Sequence, residues 1–319
     1  MPEPRPRVDA VVPVYGGWDH VEKCLRALAA QTVPANVIVV DDESPDDTAD
    51  RIAAAFPEFT LLRNERNRGF ATTCNRGIAH GEAEIVLLVN SDVIAEPTLV
   101  AQVLEAFDAA APETGSVCPL LLRSDGLVDS QGITVDPTAA GFVRFHGARV
   151  GDADPADPVA IGPYGAAAAY RRTALDEVGL LDEGIFMYGE ELDLALRLRA
   201  GGWGTVVLDT PGGQHIGGAS AGAGSPRQRY LAGFGRGYLL RAWHIVGGRH
   251  TLRALAIEAI VCARRILLHR DVKSLTGRIA GWRAAKGVAR PALPTAGIDA
   301  SIGLAQSLRM RSARYWESR

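Results

Sequence analysis

Residues 84–92 read EIVLLVNSD, in which five consecutive apolar residues are followed by three polar ones. A short continuous apolar run predicts a strand that is buried on both faces of a sheet. Two earlier runs have the same character: VDAVVPV at 8–14, and NVIVV at 36–40, which leads into two aspartates. Because ligands of parallel sheets bind beyond the carboxyl ends of the strands, the polar residues after these runs form the first candidate site.

The intervals between these runs have helical spacing. Residues 18–31, for example, carry their apolar side chains three and four positions apart. The same reasoning predicts helices at 46–56, 72–80, 97–109, 172–178 and 190–200, and strands at 59–62 and 203–208. This alternation predicts an α/β fold with a mostly parallel, Rossmann-like central sheet flanked by helices. Between 212 and 225, the abundance of Gly and Ser predicts a mobile loop.

Charge is distributed unevenly along the chain. The net formal charge of the 319 residues is −3, yet residues 226–319 contain 18 Lys plus Arg against 4 Asp plus Glu. We therefore expect two parts: an acidic domain at 1–225 and a basic, helical C-terminal extension at 226–319.

The cysteines and the N-terminus restrict the class of protein. Cys24, Cys74, Cys118 and Cys262 form no CxxC pair, so neither a zinc site nor a disulfide framework is indicated. The first ten residues lack the apolar core of a signal peptide, and no run reaches the roughly 18 apolar residues of a membrane span. We expect a cytoplasmic protein, either free or peripheral at the inner face of the cell membrane.

Asn90, Ser91 and Asp92 follow an apolar run directly and are the candidate metal site. A hard cation that carries phosphates is usually held by one or two carboxylates, with phosphate oxygens and water completing its coordination. Asp92 supplies such a carboxylate. The alternative is structural, because Asp after a strand also caps helices and opens turns.

A second candidate cluster lies in GEELDLALRLRAGGW at 189–203, where Glu190, Glu191 and Asp193 crowd near the predicted start of a helix. Neighbouring carboxylates repel each other, which raises the pKa of one of them and suits it to accept a proton. The alternative is ordinary enrichment of acidic residues in a first helical turn, where the helix dipole favours them.

Five segments in order resemble glycosyltransferase family 2, a large family of inverting enzymes with a GT-A fold. They are VVPVYGGWDHVEKCLRALAAQ, VIVVDDESPDDT, NERNRGFATTCNRGI, VLLVNSDV and FMYGEELDLALRLRAGGW, and the resemblance covers about Val8 to Ser220. It is greatest to the bacterial rhamnosyltransferase-like members, which build polysaccharides on lipid carriers. It implies a catalytic domain at 1–225, with a nucleotide-binding half at about 8–110 and an acceptor half at about 111–225.

The resemblance also implies the reaction. A sugar would pass from a nucleotide-diphosphate sugar, such as dTDP-rhamnose or a UDP-sugar, to a hydroxyl of a glycan or lipid-linked acceptor. The implied cofactor is Mg²⁺ or Mn²⁺. A divalent cation offsets the charge that develops on the leaving diphosphate, and a carboxylate base takes the acceptor proton.

Individual roles follow from the resemblance residue by residue. Asp92 and His215 are the implied metal ligands, with Asn90 in place of the first Asp of the family's DxD motif. Glu191, with Glu190 and Asp193 beside it, is the implied base, although the family usually has Asp at this position. The implied nucleotide-binding residues are Pro13, Val14, Tyr15, Asp41, Asp42, Ser44, Asn67, Arg68, Gly69, Phe70, Asn75, Asn90, Ser91 and Asp92. Gly165, Ala166 and Tyr188 are implied to border the donor sugar and the acceptor.

The extension contains an amphipathic pattern between 252 and 267. Apolar residues recur there at helical spacing, while Arg253, Arg264 and Arg265 fall largely elsewhere around the helix. A basic amphipathic helix is typical of contact with an anionic membrane surface. A helix packed on the catalytic domain, or a homodimer interface, is an equally good interpretation. Nucleic acid is not expected as a partner, because aromatic residues are sparse in the extension.

Three rival functions share parts of these patterns. A nucleotidylyltransferase of similar fold should have a Gly-rich loop with a basic residue after its first strand, and VYGGW at 14–18 has no basic residue. A dinucleotide enzyme needs its Gly motif between a strand and a helix, whereas 233–237 lies in a helical segment. A non-catalytic sugar-binding module would not need Asp92, Glu191 and His215 together. Glycosyltransferase activity is therefore the prediction.

Overall fold

The computed structural model describes residues 5–152, 157–217, 224–312 and 314–317. Its strands are β1 (Val8–Val14), β2 (Asn36–Asp41), β3 (Thr60–Arg63), β4 (Ile85–Val89), β5 (Val93–Ala95), β6 (Thr114–Leu122), β7 (Val128–Ser130), β8 (Ile133–Val135), β9 (Gly141–Val143), β10 (Ala167–Arg171) and β11 (Gly204–His215). Nine of them form one mixed sheet in the order β3-β2-β1-β4-β10-β6-β11-β5, with β7 paired to β6. β8 and β9 form a separate antiparallel pair.

The helices lie between and after these strands. They are α1 (Trp18–Ala29), α2 (Thr48–Ala55), α3 (Phe70–His80), α4 (Leu99–Ala109), α5 (Arg172–Val178), α6 (Glu190–Ala200), α7 (Pro226–Ala242), α8 (Thr251–His269), α9 (Lys273–Ala284) and α10 (Leu304–Arg309). The bounds predicted from sequence for β1, α5 and α6 agree with the structure. The elements predicted for 18–109 agree to within two residues at each end.

Parallel pairing among β1, β2, β3 and β4 brings the polar residues of the first half together. β1 pairs in parallel with both β2 and β4, and β2 pairs in parallel with β3. Their carboxyl ends therefore share one edge of the sheet. There the Asp42 N–H donates to the Val14 carbonyl at 2.8 Å. The predicted clustering of the residues after these strands is thus a consequence of strand direction.

β10 brings the acceptor half to the same edge. It lies antiparallel between β4 and β6, with Ala167 opposite Val89. Beyond this pairing, the Asn90 N–H donates to the Ala166 carbonyl at 2.9 Å. Small side chains in this strand let residues 164–166 run beside the polar residues 90–92.

The prediction of a mobile loop at 212–225 was wrong for its first four residues. Gly212, Gly213, Gln214 and His215 belong to β11, where they pair with β5 and β6. A Cβ on Gly213 would lie 2.8 Å from the Ile94 carbonyl oxygen, so glycine is needed for close pairing of the backbones. Residues 218–223 lie outside the described ranges.

The C-terminal helices share a hydrophobic core with the acceptor half. Side chains of α7, including Tyr238, Leu239 and Ala242, are buried against Ile133, Leu192 and other residues of β8 and α6. The extension predicted at 226–319 therefore does not form a separate core of its own.

Glycines bring α7 and α9 into backbone contact. A Cβ on Gly237 would lie 2.0 Å from the Arg278 carbonyl oxygen, and one on Gly281 would lie 1.9 Å from the Phe234 carbonyl oxygen. Such distances leave room for hydrogen only. The Gly-rich run at 233–237 is thus a helix-packing feature.

The apolar stripe predicted on the extension is exposed. Leu252 and Leu267 of α8 are 84% and 78% exposed, while the helix is buried through a different face that includes Ala254 and Ile257. Packing on the catalytic domain therefore does not explain the stripe. None of the helices in the described ranges combines the length and apolar content needed to cross a bilayer.

Candidate active site

A cavity of about 280 Å³, here called the first cavity, opens at the carboxyl ends of β1, β2 and β4. Its walls come from the loops after these strands, the segment before α6 and the first turn of α7. The lining residues are Pro13, Val14, Tyr15, Asp42, Asn67, Gly69, Phe70, Thr73, Asn90, Ser91, Asp92, Tyr164, Gly165, Ala166, Phe186, Met187, Tyr188, Glu190, Glu191, His215, Arg227, Gln228 and Leu231.

Asp42 holds one wall of the first cavity in place. Its Oδ1 accepts from the Asn64 amide at 2.7 Å and the Arg68 N–H at 2.9 Å, and its Oδ2 accepts from the Gly69 N–H at 2.9 Å. Gly69 has a φ of +85°, and a Cβ there would lie 2.6 Å from both the ring and the carbonyl oxygen of Phe186. Glycine is therefore required where this loop enters α3.

Asp41 and Ser44 shape the turn after β2 and are not among the lining residues. The Ser44 hydroxyl donates to Asp41 Oδ1 and accepts from the Gly16 N–H at 2.7 Å. This contact ties the turn after β2 to the turn after β1. Direct contact of Asp41 with a nucleotide base or ribose stays a prediction.

Asp92 and His215 lie side by side in the lining of the first cavity. His215 Nε2 lies 3.3 Å from Asp92 Oδ1, and His215 Nδ1 lies 2.8 Å from Asp129 Oδ2. A carboxylate only accepts hydrogen bonds, so Nδ1 carries the proton that it donates to Asp129. In a neutral ring, the Nε2 lone pair would then point at a carboxylate oxygen, and this contact is repulsive unless a positive charge lies between the two atoms.

A proton on His215 Nε2, or a metal cation between Nε2 and Asp92 Oδ1, would remove this repulsion. Burial opposes a charge on His215, but hydrogen bonds to Asp129 and Asp92 raise its pKa to about 10. A divalent cation can replace that proton, because metal-binding imidazoles commonly donate their other N–H to a carboxylate. Within the described ranges, no cluster of three His, Cys, Asp or Glu side chains could hold a metal alone. The pair therefore fits a cation whose remaining ligands come from substrate and water.

Two amide oxygens in the first cavity are buried without a hydrogen-bond partner. They are Asn67 Oδ1 and Asn90 Oδ1. Buried oxygens are normally satisfied by a donor or a cation. Their position on the lining is consistent with a polar ligand in this cavity.

Glu190 and Glu191 also line the first cavity and differ in their surroundings. Glu190 is 4% exposed, and its Oε2 has no hydrogen-bond partner. Burial, together with repulsion from Glu191, raises the pKa of Glu190 well above its ordinary value. Burial also raises the pKa of Glu191, but the Gly189 N–H donates to Glu191 Oε2 at 3.0 Å and stabilises the ionised form. Glu191 is therefore the member of the pair that ionises first.

Tyr188, which also lines the first cavity, has a strained backbone conformation. Its φ is +72°, a region that residues with a side chain rarely adopt and that is enriched at functional sites. α7 packs directly against it, since a Cβ on Gly235 would lie 1.8 Å from the Tyr188 carbonyl oxygen. The C-terminal helices thus fix the backbone that leads into Glu190 and Glu191.

Most of the residues predicted for the site line the first cavity. Five do not: Asp41, Ser44, Arg68, Asn75 and Asp193. Asn75 instead ties α3 to the backbone of Leu181, donating through Nδ2 at 2.8 Å and accepting through Oδ1 at 3.0 Å. The exposed Arg68 contributes its backbone N–H to Asp42.

The predicted catalytic role of Asp193 does not fit its position. Its carboxylate is fully buried and accepts from Arg197 Nε at 2.8 Å, Arg290 Nε at 2.8 Å and Trp243 Nε1 at 2.9 Å. It does not line the first cavity, and two of its partners, Arg290 and Trp243, belong to the C-terminal segment. Asp193 anchors the extension to α6.

Sequence reasoning missed several residues of the site. Asp129, which orients His215, lies in β7, where no motif marks it. Tyr164, Phe186, Met187, Arg227, Gln228 and Leu231 also line the first cavity. Arg227 and Gln228 belong to the first turn of α7. Two signals of a helix start precede them: the Ser225 cap, which accepts from the Gln228 N–H, and Pro226 in the first helical turn.

Comparison with known proteins identifies the family. The model of glycosyl transferase family 2 matches residues 9–179. The chain belongs to this family, as its motifs predicted. N-acetylglucosaminyl-diphospho-decaprenol L-rhamnosyltransferase of Mycobacterium tuberculosis is 28% identical over 222 residues, which cover 62% of this chain and 72% of that protein. Glycosyltransferase AglE of Haloferax volcanii is 30% identical over 93 residues, covering 27% and 31% of the two chains.

Solved structures share the fold, and the predicted GT-A fold is confirmed. Mannosyltransferase PcManGT from Pyrobaculum calidifontis, in complex with GDP-Man and Mn²⁺, has a TM-score of 0.52 and 20% identity, covering 91% of this chain and 78% of that chain. S. aureus TarS has a TM-score of 0.52 and 17% identity, covering 78% and 42% of the two chains. The predicted glycosyltransferase activity is thereby supported at the level of the family: this glycosyltransferase carries its candidate site in the first cavity.

Proposed function

We propose that this glycosyltransferase moves a sugar, such as rhamnose, from a nucleotide-diphosphate sugar to a hydroxyl of a lipid-linked acceptor in cell-surface polysaccharide synthesis. The observation that carries the proposal is that two chemically different groups line the same cavity. They are the Asp92–His215 pair and the Glu190–Glu191 pair. The donor diphosphate would lie at the first pair and the acceptor hydroxyl at the second.

The charge of the first cavity supports a metal-dependent reaction. Asp42, Asp92, Glu190 and Glu191 line it, and Arg227 is the one arginine among the described lining residues. A diphosphate would meet carboxylates there unless a cation bridged them. Asp92 and His215 would hold Mg²⁺ or Mn²⁺ together with the diphosphate oxygens. The cation would offset the negative charge that develops on the leaving diphosphate.

Glu191 would act as the general base. The acceptor oxygen forms a bond to C1 of the sugar while the bond from C1 to the diphosphate oxygen breaks. The electron pair of that bond leaves with the nucleoside diphosphate, and the acceptor proton passes to the Glu191 carboxylate. Because the acceptor attacks the face opposite the leaving group, the configuration at C1 is inverted. Glu190, the deeper carboxyl, would stay protonated and keep the pair singly charged.

The exposed apolar stripe of α8 supports contact of the enzyme with a membrane surface. Leu252, Leu255, Ile260, Leu267 and Leu268 are exposed on this helix. In the sequence they lie within the segment 226–319, which carries the excess of basic residues described above. Apolar side chains within a basic segment suit the interface of an anionic leaflet, where a lipid-linked acceptor resides. The alternative to a membrane surface is a second copy of the chain, packed on the same stripe in a homodimer.

A transfer assay tests the function. Radiolabelled nucleotide sugars, including dTDP-rhamnose and UDP-sugars, are incubated with lipid-linked N-acetylglucosaminyl diphosphate and Mg²⁺ or Mn²⁺. We expect label in the lipid fraction with at least one donor, abolished by excess EDTA and by Asp92→Asn. Transfer that persists in EDTA would refute the metal-dependent reaction, and no transfer from any nucleotide sugar would refute the assignment of substrates.

A further inference from the structure

A second cavity of about 450 Å³ lies between the β8–β9 pair and the C-terminal helices α7, α8 and α9. Its lining contains five arginines: Arg229, Arg236, Arg265, Arg278 and Arg311. This composition is opposite to that of the first cavity, whose lining contains four carboxylates.

Three of these arginines are neutralised within the protein. Arg236 Nε and Arg278 Nε each donate at 2.7 Å to one oxygen of Glu258, and Arg229 forms an ion pair with Asp271 at 2.7 Å. Glu258 is thus shared by two cations. The pairs hold the arginine side chains along the cavity wall but leave the cavity with excess positive charge.

The other two arginines lack an anionic partner among the described residues. Arg311 Nε and Nη2 are buried without any hydrogen bond, and its guanidinium lies 5.6 Å from the centre of the Phe142 ring. Burial lowers the pKa of Arg311, and the nearby charges of Glu258 and Asp136 offset this only in part. Arg265 is exposed at the mouth of the cavity. A buried guanidinium without a partner is costly, and an anion in the cavity would satisfy it.

The second cavity meets the first at the proposed base. Tyr164, Tyr188, Glu191 and Gln228 line both cavities. A molecule in the second cavity can therefore present a hydroxyl to Glu191 while the remainder extends among the arginines.

The mouth of the second cavity lies beside the exposed stripe of α8. Val261 and Arg265, one helical turn apart, line the cavity. Leu268, three residues beyond Arg265 on the same side of the helix, is 65% exposed. A ligand that leaves the cavity here passes from guanidinium groups to exposed apolar side chains within one helical turn.

We propose that the second cavity binds the diphosphate group of an amphiphilic acceptor, with Arg311 and Arg265 as its principal anion ligands. The acceptor sugar lies at Glu191, its diphosphate lies among the arginines, and its lipid chain leaves past Leu268 along α8. This proposal rests on the proposed function, because it assumes that Glu191 receives the acceptor hydroxyl. No metal is needed in this cavity, since the guanidinium groups carry permanent positive charge.

Binding of inorganic pyrophosphate in excess EDTA tests the site. Without metal, the carboxylates of the first cavity repel pyrophosphate, so calorimetry reports the second cavity. We expect Arg311→Gln and Arg265→Gln each to weaken binding about tenfold or more, as expected for loss of a charge-assisted hydrogen bond. Arg264→Gln is the matched control, because Arg264 is exposed beside Arg265 on α8 and does not line the cavity. Arg311→Lys should retain part of the affinity.

Steady-state kinetics separate this site from the donor site. In the transfer assay, Arg265→Gln and Arg311→Gln should raise the acceptor KM about tenfold, with the donor KM unchanged. A rise in donor KM instead would assign the arginines to the nucleotide and overturn the proposal. Absent pyrophosphate binding, or equal weakening by Arg264→Gln, would also overturn it. Failure of the proposed function looks different: no nucleotide sugar is used, whether or not pyrophosphate binds.

Discussion

The two cavities meet at Glu191 but are built from opposite charges. The first offers carboxylates and a histidine to its ligand, and the second offers guanidinium groups. If both ligands carry a diphosphate, the first cavity needs a cation as a bridge and the second does not. Under the proposed function, this difference would keep two phosphorylated substrates apart: a metal would recruit the donor to the first cavity, and fixed arginines would hold the acceptor in the second.

The largest effect is expected where the cavities meet. Glu191→Gln keeps the size of the side chain but removes the basic oxygen, so turnover should fall by about 10² to 10⁴ with little change in donor affinity. Glu190→Gln is the matched variant. It mimics a carboxyl that is already protonated, and most activity should survive. A large loss in Glu190→Gln with near-normal turnover in Glu191→Gln would transfer the role of base to Glu190.

The next largest effect is expected on metal affinity in the first cavity. Asp129→Asn weakens the acceptor that orients His215 without touching the cavity lining. Loss of such an orienting carboxylate typically costs about 10- to 100-fold in metal affinity. We therefore expect the Mn²⁺ concentration for half-maximal activity to rise by that factor, with pyrophosphate binding in EDTA unchanged. An unchanged Mn²⁺ requirement would contradict the role of His215 as a metal ligand.

The pH dependence of turnover should report the carboxylate pair. Burial raises the pKa of Glu191, so the base becomes ionised only at a higher pH than an exposed glutamate, whose pKa is about 4.3. Turnover should increase as pH rises through this raised pKa. The effect on folding has the opposite sign, because a carboxyl whose pKa is raised on folding contributes stability at low pH that is lost as pH rises. Glu190→Gln should therefore raise the melting temperature at neutral pH. A turnover that is flat from pH 5 to pH 8 would contradict the assignment of the base.

A smaller effect tests the wall of the second cavity. Gly237→Ala places a methyl group against the Arg278 carbonyl oxygen and should force α7 and α9 apart. Overpacking of this kind costs about 1–3 kcal/mol of unfolding free energy. Gly204→Ala is the control, since its nearest neighbour would lie at an ordinary 3.5 Å. Equal stability of the two variants in urea denaturation would argue against the close helix contact.

The smallest effect is expected at the exposed stripe of α8. Leu252→Ser with Leu267→Ser removes two of its most exposed apolar side chains. We expect the protein to float with anionic liposomes at low salt, less so at high salt, and less in the double variant. Absence of flotation with anionic liposomes at low salt would exclude the membrane surface as occupant. A concentration-dependent dimer that the double variant abolishes would favour the homodimer instead.

Strand and helix patterns predicted the first half of the fold well, and family motifs predicted much of the first cavity. Both depend on local sequence: buried parallel strands are apolar runs, and their carboxyl ends coincide in space. The burial of Asp193 against Arg290 could not be predicted from sequence, because the two residues lie 97 positions apart in the chain. Asp129 and the second cavity depend on contacts between segments far apart in the chain, which no local pattern records.

A crystal structure with a nucleoside diphosphate and Mn²⁺ tests the central claim most directly. The anomalous signal of Mn²⁺ locates the cation without reference to the surrounding atoms. We expect the peak between Asp92 and His215, bridged to the nucleotide diphosphate, with the nucleotide in the first cavity and the arginines of the second cavity free of it. A nucleotide diphosphate bound to Arg311 and Arg265, or Mn²⁺ held away from Asp92 and His215, would contradict the division of substrates between the two cavities.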